Sequence, residues 1–252
     1  MTVAPFPPNE VEIVENALLG GRVRLRQPAR GYRAGMDAAL LAAAVTAEPG
    51  QRVIEAGCGA AAVLMQIAAR RPDAVLMGLE RDPAMAALAR ENAALNGAEA
   101  RIVEGDVAAG FQALGLEPFD WAVSNPPFFD DPGTLRAPAK EKRGAWIADD
   151  GLKAWTEFLL KSVREGGRIV VIHRADRLAD LLALLGEKAG SFAVRGIHPY
   201  ADEPAKRVLV RAIRTGRAPL RLLPPLVLHD RTGAKHTAEA EAILRGEAAL
   251  PF

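Results

Sequence analysis

Strands and helices alternate regularly through the middle of this sequence. A short apolar run at residues 52–56 leads through glycines into an alanine-rich helical stretch at 60–71, and the same order then repeats. An aspartate–proline pair at residues 82–83 predicts a helix start, and an asparagine–glycine pair at 96–97 predicts its end. Parallel strands joined by helices need both sheet faces covered, so this alternation predicts an α/β fold. Further strands are predicted at residues 74–79, 101–104, 119–124 and 168–173.

The pattern changes after residue 173. Residues 192–197 and 207–213 are predicted strands with no helix between them, so they should pair antiparallel at one edge of the sheet. The predicted sheet then has seven strands, mostly parallel, with an antiparallel edge hairpin and helices on both faces. We predict three parts: a covering segment with a strand pair and a helix (1–48), the main domain (49–215), and a C-terminal extension packed on that domain (216–252).

Composition narrows the function classes. The chain has 252 residues, and half of them are hydrophobic, so a large core is expected. Its net charge is only +1, so we expect no general electrostatic attraction to nucleic acid or to a membrane. The single cysteine, Cys58, excludes an internal disulfide and a cysteine-based zinc site, and the four histidines lack metal-ligand spacing. No apolar run reaches membrane length and the N-terminus does not look like a signal peptide, so we expect a cytoplasmic protein without a metal.

Two stretches carry arginines without any acid. Residues 16–36 contain five arginines, and residues 205–229 contain a lysine and five arginines. Such one-signed runs fit a local phosphate-binding surface, although solvated strand faces would have a similar composition.

A glycine-rich turn follows the strand at residues 52–56. Gly57 and Gly59 allow a tight turn and close approach of a ligand to the backbone, and Glu80 ends the next strand, where an acid can bind ribose hydroxyls. This spacing also fits a nicotinamide dinucleotide fingerprint. Glu55 favours a sulfonium cofactor with an ammonium group, because a carboxylate at the strand tip would oppose a pyrophosphate. Asp106 ends the third strand, where it could bind an adenine amino group.

A second motif, Asn125-Pro126-Pro127-Phe128, follows the strand at residues 119–124. Two prolines cannot extend a sheet ladder, so the chain must leave the sheet here. The side-chain oxygen of Asn125 and the carbonyl of Pro126 are acceptors suited to a planar NH2 group, and Phe128 can stack on the ring that carries it. A plain turn that ends a strand is the alternative interpretation of Pro126-Pro127.

Together, these motifs resemble the Rossmann-like class I methyltransferases that use S-adenosylmethionine to modify exocyclic or amide nitrogens. The resemblance covers about residues 52–213. The front stretch at residues 19–43, with the sequence Gly-Tyr-Arg-Ala-Gly-Met-Asp, is similar to the bacterial valine-tRNA adenine-N6 methyltransferase family in a shorter form. The resemblance implies S-adenosylmethionine as the cofactor and RNA, most simply tRNA, as the partner. The cofactor-binding residues that it implies are Glu55, Gly57, Cys58, Gly59, Glu80, Asp106, Val107 and Asp37.

The expected catalytic residues are Asn125, Pro126, Pro127 and Phe128, which hold the amine in line with the methyl donor. Candidate substrate contacts are Phe128 and the basic residues Arg22, Arg24, Arg33, Arg143, Lys206 and Arg207. The alternatives are methylation of a protein glutamine amide, methylation of guanine N2 in ribosomal RNA, a nicotinamide-dependent oxidoreductase, and an RNA-binding protein without activity. The sequence gives no prediction of the oligomeric state.

Overall fold

A twisted eight-stranded sheet forms the centre of the protein, and a separate two-stranded sheet precedes it. The computed structural model describes residues 12–30, 33–127, 150–231 and 233–252. The strands are β1 (Ile13–Leu18), β2 (Val23–Pro28), β3 (Arg52–Ala56), β4 (Val75–Glu80), β5 (Ala100–Glu104), β6 (Phe119–Ser124), β7 (Val163–Arg174), β8 (Ala189–His198), β9 (Arg207–Arg214) and β10 (Arg221–Val227). The helices are α1 (Met36–Ala44), α2 (Ala62–Arg70), α3 (Pro83–Leu95), α4 (Asp150–Ser162), α5 (Leu178–Gly186) and α6 (Ala238–Leu244).

The large sheet has the strand order β10-β8-β9-β7-β6-β3-β4-β5. Strands β3 to β7 are mutually parallel, and β9 pairs antiparallel with both β7 and β8. The predicted α/β class with an antiparallel strand pair is confirmed. The sheet has one strand more than the seven predicted, because the proline-containing segment β10 pairs parallel with β8. The predicted hairpin therefore lies one strand inside the edge. Pro224 and Pro225 fall at a register shift, which is where a strand tolerates them.

Apolar side chains alternate between the two faces of the sheet and form two cores. Val53 and Val123 face the core built with α1, α2, α3 and α6, whereas Ile54 and Ala122 face the core built with α4 and α5. Helices therefore cover both faces, as the continuous apolar strands require. Helix α3 begins as predicted, with the Asp82 side chain accepting hydrogen bonds from the Ala84 and Met85 amides.

Two asparagines on α3 hold the front strand pair against the domain. Asn92 is fully buried, and its amide exchanges hydrogen bonds with the N–H and C=O of Arg26, at 2.8 Å each, while also donating to the Ala60 carbonyl. Asn96 makes the same exchange with Arg24 one turn later, at 2.9 and 2.7 Å. The i, i+4 spacing places both amides on one helix face, where they bind the backbone of β2 in place of a neighbouring strand.

The C-terminal residues pack on the outer side of α1. The Leu250 amide donates to the Ala43 carbonyl at 2.9 Å, and the Arg22 guanidinium donates to the carbonyls of Arg245 and Gly246. None of the helices described is long and apolar enough to cross a membrane. Within the same residues there is no cluster of three His, Cys, Asp or Glu side chains that could hold a metal.

Candidate active site

The predicted motifs meet at the edge of the sheet where the parallel strands end. Glu55 of β3 is aligned with Gly78 of β4 and with Val123 of β6, and Glu80 is aligned with Glu104 of β5. The turns that follow these strands are therefore neighbours. In open α/β sheets, ligands bind in the crevice at this edge.

The turn after β3 is held by its neighbour strand. The amides of Gly57 and Cys58 both donate to the Leu79 carbonyl, at 2.8 and 3.0 Å. Gly57 has φ +68°, and a Cβ at this position would lie 2.2 Å from Cη2 of Trp155 on α4. Both the backbone angle and the packing therefore require glycine here.

The end of this turn carries conformational strain. Ala61, which precedes α2, adopts the left-handed region at φ 64° without the freedom of a glycine. Such a conformation costs about 1–2 kcal/mol, and strain of this kind concentrates at binding sites. The Cys58 side chain faces away from the turn into the core, where its sulfur contacts the position a Gly78 side chain would occupy.

Glu55 lies buried beneath the glycine turn. Only 3% of the residue is exposed, and burial raises the pKa of its carboxyl well above the ordinary value, with the nearby charge of Glu80 acting in the same direction. Among the residues described, no group hydrogen-bonds its Oε2 atom. A buried, unpaired carboxylate oxygen is costly, so this atom suits a cationic ligand group.

Glu80 and Asp106 follow the next two strands. Glu80 accepts the Gly59 amide at 2.8 Å and the Asp82 amide at 2.9 Å, so one carboxylate connects the turns after β3 and β4. Asp106 caps a short 3₁₀ turn that begins at Val107, accepting the Ala108 amide at 2.9 Å. Both carboxylates keep lone pairs that can accept further hydrogen bonds.

Asn125 follows β6 and lies beside the glycine turn. The buried Ser124 hydroxyl donates to the Ala56 carbonyl at 2.9 Å, which fastens the last residue of β6 to the last residue of β3. Asn125 and Pro127 are half-buried, and Pro126 is buried between them. Adjacent strands lie about 4.8 Å apart, so Asn125 is within reach of a ligand that touches Gly57. Phe128 and Arg143 fall outside the residues described, and their predicted roles stay predictions.

The front of the site contains an ion pair between two distant parts of the chain, which the sequence did not predict. Asp37, in the first turn of α1, accepts a hydrogen bond from Nε of Arg207 at 3.0 Å, although the two residues are far apart in sequence. Arg207 is aligned with Arg174 at the end of β7, beside the exposed Lys206. The pKa of the neighbouring His173 is lowered to about 4 by burial and by the adjacent arginines, so its ring is neutral at pH 7.

The arginine runs do not form the single surface that their sequence suggested. Arg207 begins β9 on the side of the sheet where the site lies. Arg214 ends the same strand on the far side, where it donates to the Leu160 and Val163 carbonyls. In the front run, Arg24 pairs with Glu15 at 2.8 Å, and Arg33 donates to the Asn16 side chain at 3.0 Å. Arg22 is held by carbonyls of the C-terminal segment, as described above. The predicted phosphate contacts of these residues therefore compete with intramolecular partners.

Comparison with known proteins identifies the family. Residues 33–140 match the family model described as the methyltransferase small domain. A protein from Aeromonas hydrophila named tRNA1(Val) (adenine(37)-N6)-methyltransferase is 32% identical over 182 residues, which is 71% of this chain and 75% of that protein. The chain belongs to this methyltransferase family. The enzymes of this family are S-adenosylmethionine-dependent N-methyltransferases. The glycine turn is therefore assigned to S-adenosylmethionine and not to a nicotinamide dinucleotide.

Other known proteins are similar to parts of the chain. A protein of the same name from Porphyromonas gingivalis is 32% identical over 169 residues, covering 64% of this chain and 66% of that protein. A release factor glutamine methyltransferase from Deinococcus radiodurans is 39% identical over 77 residues, but the chain spans only 26% of its length. A crystal structure of a predicted O-methyltransferase from Agrobacterium tumefaciens has a TM-score of 0.71 and 28% identity, covering 86% of this chain and 99% of that one.

Proposed function

We propose that this protein methylates the exocyclic N6 amino group of an adenine in a tRNA. The observation that carries the proposal is the position of Asn125, which leaves β6 directly beside the glycine turn of β3 and is fixed there by the Ser124–Ala56 hydrogen bond. An acceptor for an amino group and a turn that admits a cofactor are thus neighbours. The curated tRNA relatives support the same conclusion.

The residues around the glycine turn fit S-adenosylmethionine. Gly57, Cys58 and Gly59 form the turn, and because a Cβ on Gly59 would meet nothing within 4 Å, the backbone is open to a ligand at Gly59. The unpaired Oε2 of Glu55 suits the ammonium of the methionyl group. When bound, S-adenosylmethionine supplies an electrophilic methyl group on a sulfonium.

The two carboxylates at the neighbouring strand tips complete the proposed cofactor contacts. Glu80 has oxygens available for ribose hydroxyls beyond those that accept the Gly59 and Asp82 amides. Asp106 and Val107 lie one strand further on, where they would hold the adenine. Asp37 would cover this site from α1, in a position set by its ion pair with Arg207.

The chain contributes positioning more than acid–base chemistry. An aromatic amine is a weak nucleophile because its lone pair is delocalised into the ring. The Asn125 side-chain oxygen and the Pro126 carbonyl would accept its two N–H bonds and turn the lone pair toward the methyl group. The neutral His173 is not required as a base, since the proton on the methylated nitrogen is acidic enough to pass to water.

Glutamine amide methylation is the second candidate, because the amide NH2 has the same planar geometry and relatives with that activity match the core. The similarity to the Aeromonas hydrophila tRNA enzyme extends over 75% of that protein, compared with 46% of the Salmonella typhimurium and 52% of the Caulobacter vibrioides release factor enzymes. This difference in coverage supports the tRNA substrate.

The test is transfer of labelled methyl groups into total tRNA and, separately, into release factors, followed by nucleoside and peptide analysis. We expect N6-methyladenosine in tRNA. Asn125→Ala should keep its affinity for S-adenosylmethionine while transfer falls at least a hundredfold, and Gln112→Ala, which removes an exposed amide outside the proposed site, should behave as wild type. Label found only in glutamine would refute the tRNA proposal, and equal loss of binding and transfer in Asn125→Ala would reduce that residue to a structural role.

A further inference from the structure

A row of aromatic rings lies at the site edge of the sheet, outside the methyltransferase machinery. The rings of His229 and His236 stack with centroids 5.1 Å apart and an interplanar angle of 27°. The Tyr200 ring is 5.6 Å from His229, and the Arg231 guanidinium lies 4.7 Å above the Tyr200 ring. The three rings are half-buried and Arg231 is exposed, so the row is accessible from solvent.

Backbone hydrogen bonds hold this ring cluster in place. The His229 amide donates to the Pro199 carbonyl at 2.9 Å, and its Nδ1 lies 2.6 Å from the Lys235 carbonyl. The Thr237 amide donates to the Leu228 carbonyl, which brings His236 back over His229. The cluster is therefore ordered before any ligand arrives, which lowers the entropic cost of stacking a flat ligand on it.

The ring cluster shares an edge with Asn125. Tyr200 follows β8, and His229 follows β10, which is parallel to β8. Strands β7 and β8 both pair antiparallel with β9, and β6 is parallel to β7, so β6 and β8 run in the same direction and end on the same side of the sheet. Three strand spacings separate β8 from β6, which is about 14 Å. About four stacked nucleotides, at 3.4 Å each, cover that distance along one strand.

The local charge favours stacking over phosphate binding. Arg231 pairs with Asp202 at 3.0 Å and with Glu203 at 3.6 Å. The charge of Arg231 is thus balanced by two acids, which weakens this guanidinium as a contact for a phosphate. Aromatic faces and a guanidinium plane are instead the surfaces on which unpaired bases stack.

We infer that Tyr200, His229 and His236 form a stacking platform for unpaired bases next to the target nucleotide in an RNA loop. This inference rests on the proposed function, since it names how the same site takes its RNA. The platform would hold the bases that flank the target, so that the extruded adenine reaches Asn125 already ordered.

The experiment measures binding of the full-length protein to two synthetic RNAs of equal length and charge, a hairpin with a seven-nucleotide loop and a blunt duplex. We expect Tyr200→Ala and His236→Ala each to weaken hairpin binding about tenfold, with duplex binding and the salt dependence unchanged. Tyr200→Phe and His236→Phe should restore hairpin affinity. Leu222→Ala, at an exposed residue of β10, is the control for truncation elsewhere.

The outcomes separate this inference from the proposed function. Equal weakening for hairpin and duplex, or wild-type hairpin binding in both alanine variants, overturns the platform while leaving methylation of tRNA intact. If the wild-type protein neither binds the hairpin nor methylates tRNA, both proposals fail. Unchanged affinity for S-adenosylmethionine in each variant shows that a loss of RNA binding is not a loss of fold.

Discussion

The contact between Gly57 and Trp155 allows a prediction whose size follows from the structure. Replacing Gly57 by alanine places a methyl group 2.2 Å from Cη2 and 3.0 Å from Cζ3 of the Trp155 ring. The ring is 9% exposed and packed in the core, so it cannot move away freely. A left-handed alanine costs about 1–2 kcal/mol and overpacking adds about 1–3 kcal/mol, so Gly57→Ala should lower the unfolding free energy by about 2–5 kcal/mol.

Gly59 provides the matched control. It has φ +52°, but a Cβ there would meet nothing within 4 Å, so Gly59→Ala should cost only the backbone term of about 1–2 kcal/mol. Trp155→Phe shortens the ring, and in combination with Gly57→Ala it should recover about 1–3 kcal/mol relative to the sum of the single substitutions. Urea unfolding of the four variants measures these differences. Equal destabilisation by Gly57→Ala and Gly59→Ala, or additivity in the double variant, would refute the steric explanation.

Three further predictions concern buried polar groups. Glu55→Gln should weaken S-adenosylmethionine binding about tenfold or more by calorimetry, yet it should not destabilise the free protein near pH 7, because the raised pKa of Glu55 means that its ionisation opposes folding there. The pKa of His173 falls from 6.5 to about 4 on folding, so the free energy of unfolding should decrease by about 2 kcal/mol as the pH is lowered from 7.5 to 5. His173→Gln should lose this dependence on pH, and an unchanged pH profile in that variant would contradict the prediction. Asn92→Ala removes three hydrogen bonds of a fully buried side chain and should lower the free energy of unfolding by about 3 kcal/mol in urea unfolding. The more exposed Asn96→Ala should cost about 1 kcal/mol, and equal costs would be inconsistent with the burial argument.

The fold was largely predictable because its signals are local. Continuous apolar strands, the Asp82 cap and the glycine turn each act over a few residues, and each appears where the sequence indicated. Helix α5 was not predicted, since its leucine-rich stretch lacks a capping signal and only packing on the sheet fixes it. The pairing of strand β10 with β8 was not predicted, because it depends on a partner that is distant in sequence.

The motifs of the site were predictable from the sequence, whereas its contacts between residues distant in sequence were not. Strand order brings Gly57 and Asn125 together, and parallel strand ends made that expectation possible. The Asp37–Arg207 ion pair joins residues 170 positions apart and has no sequence signature. The arginine runs illustrate the opposite error. Arg207 and Arg214 belong to one run, yet they lie at opposite ends of β9, because a strand of eight residues spans the full depth of the domain.

The strand order has a practical consequence for fragments of this protein. The part that matches the model of the methyltransferase small domain, residues 33–140, stops between β6 and β7, which are hydrogen-bonded neighbours in the middle of the sheet. Cutting there would expose the whole length of β6 with its apolar side chains, a surface that invites pairing between copies. A fragment limited to residues 33–140 is therefore not one that could be produced alone, and work on isolated pieces should keep both ends of the chain.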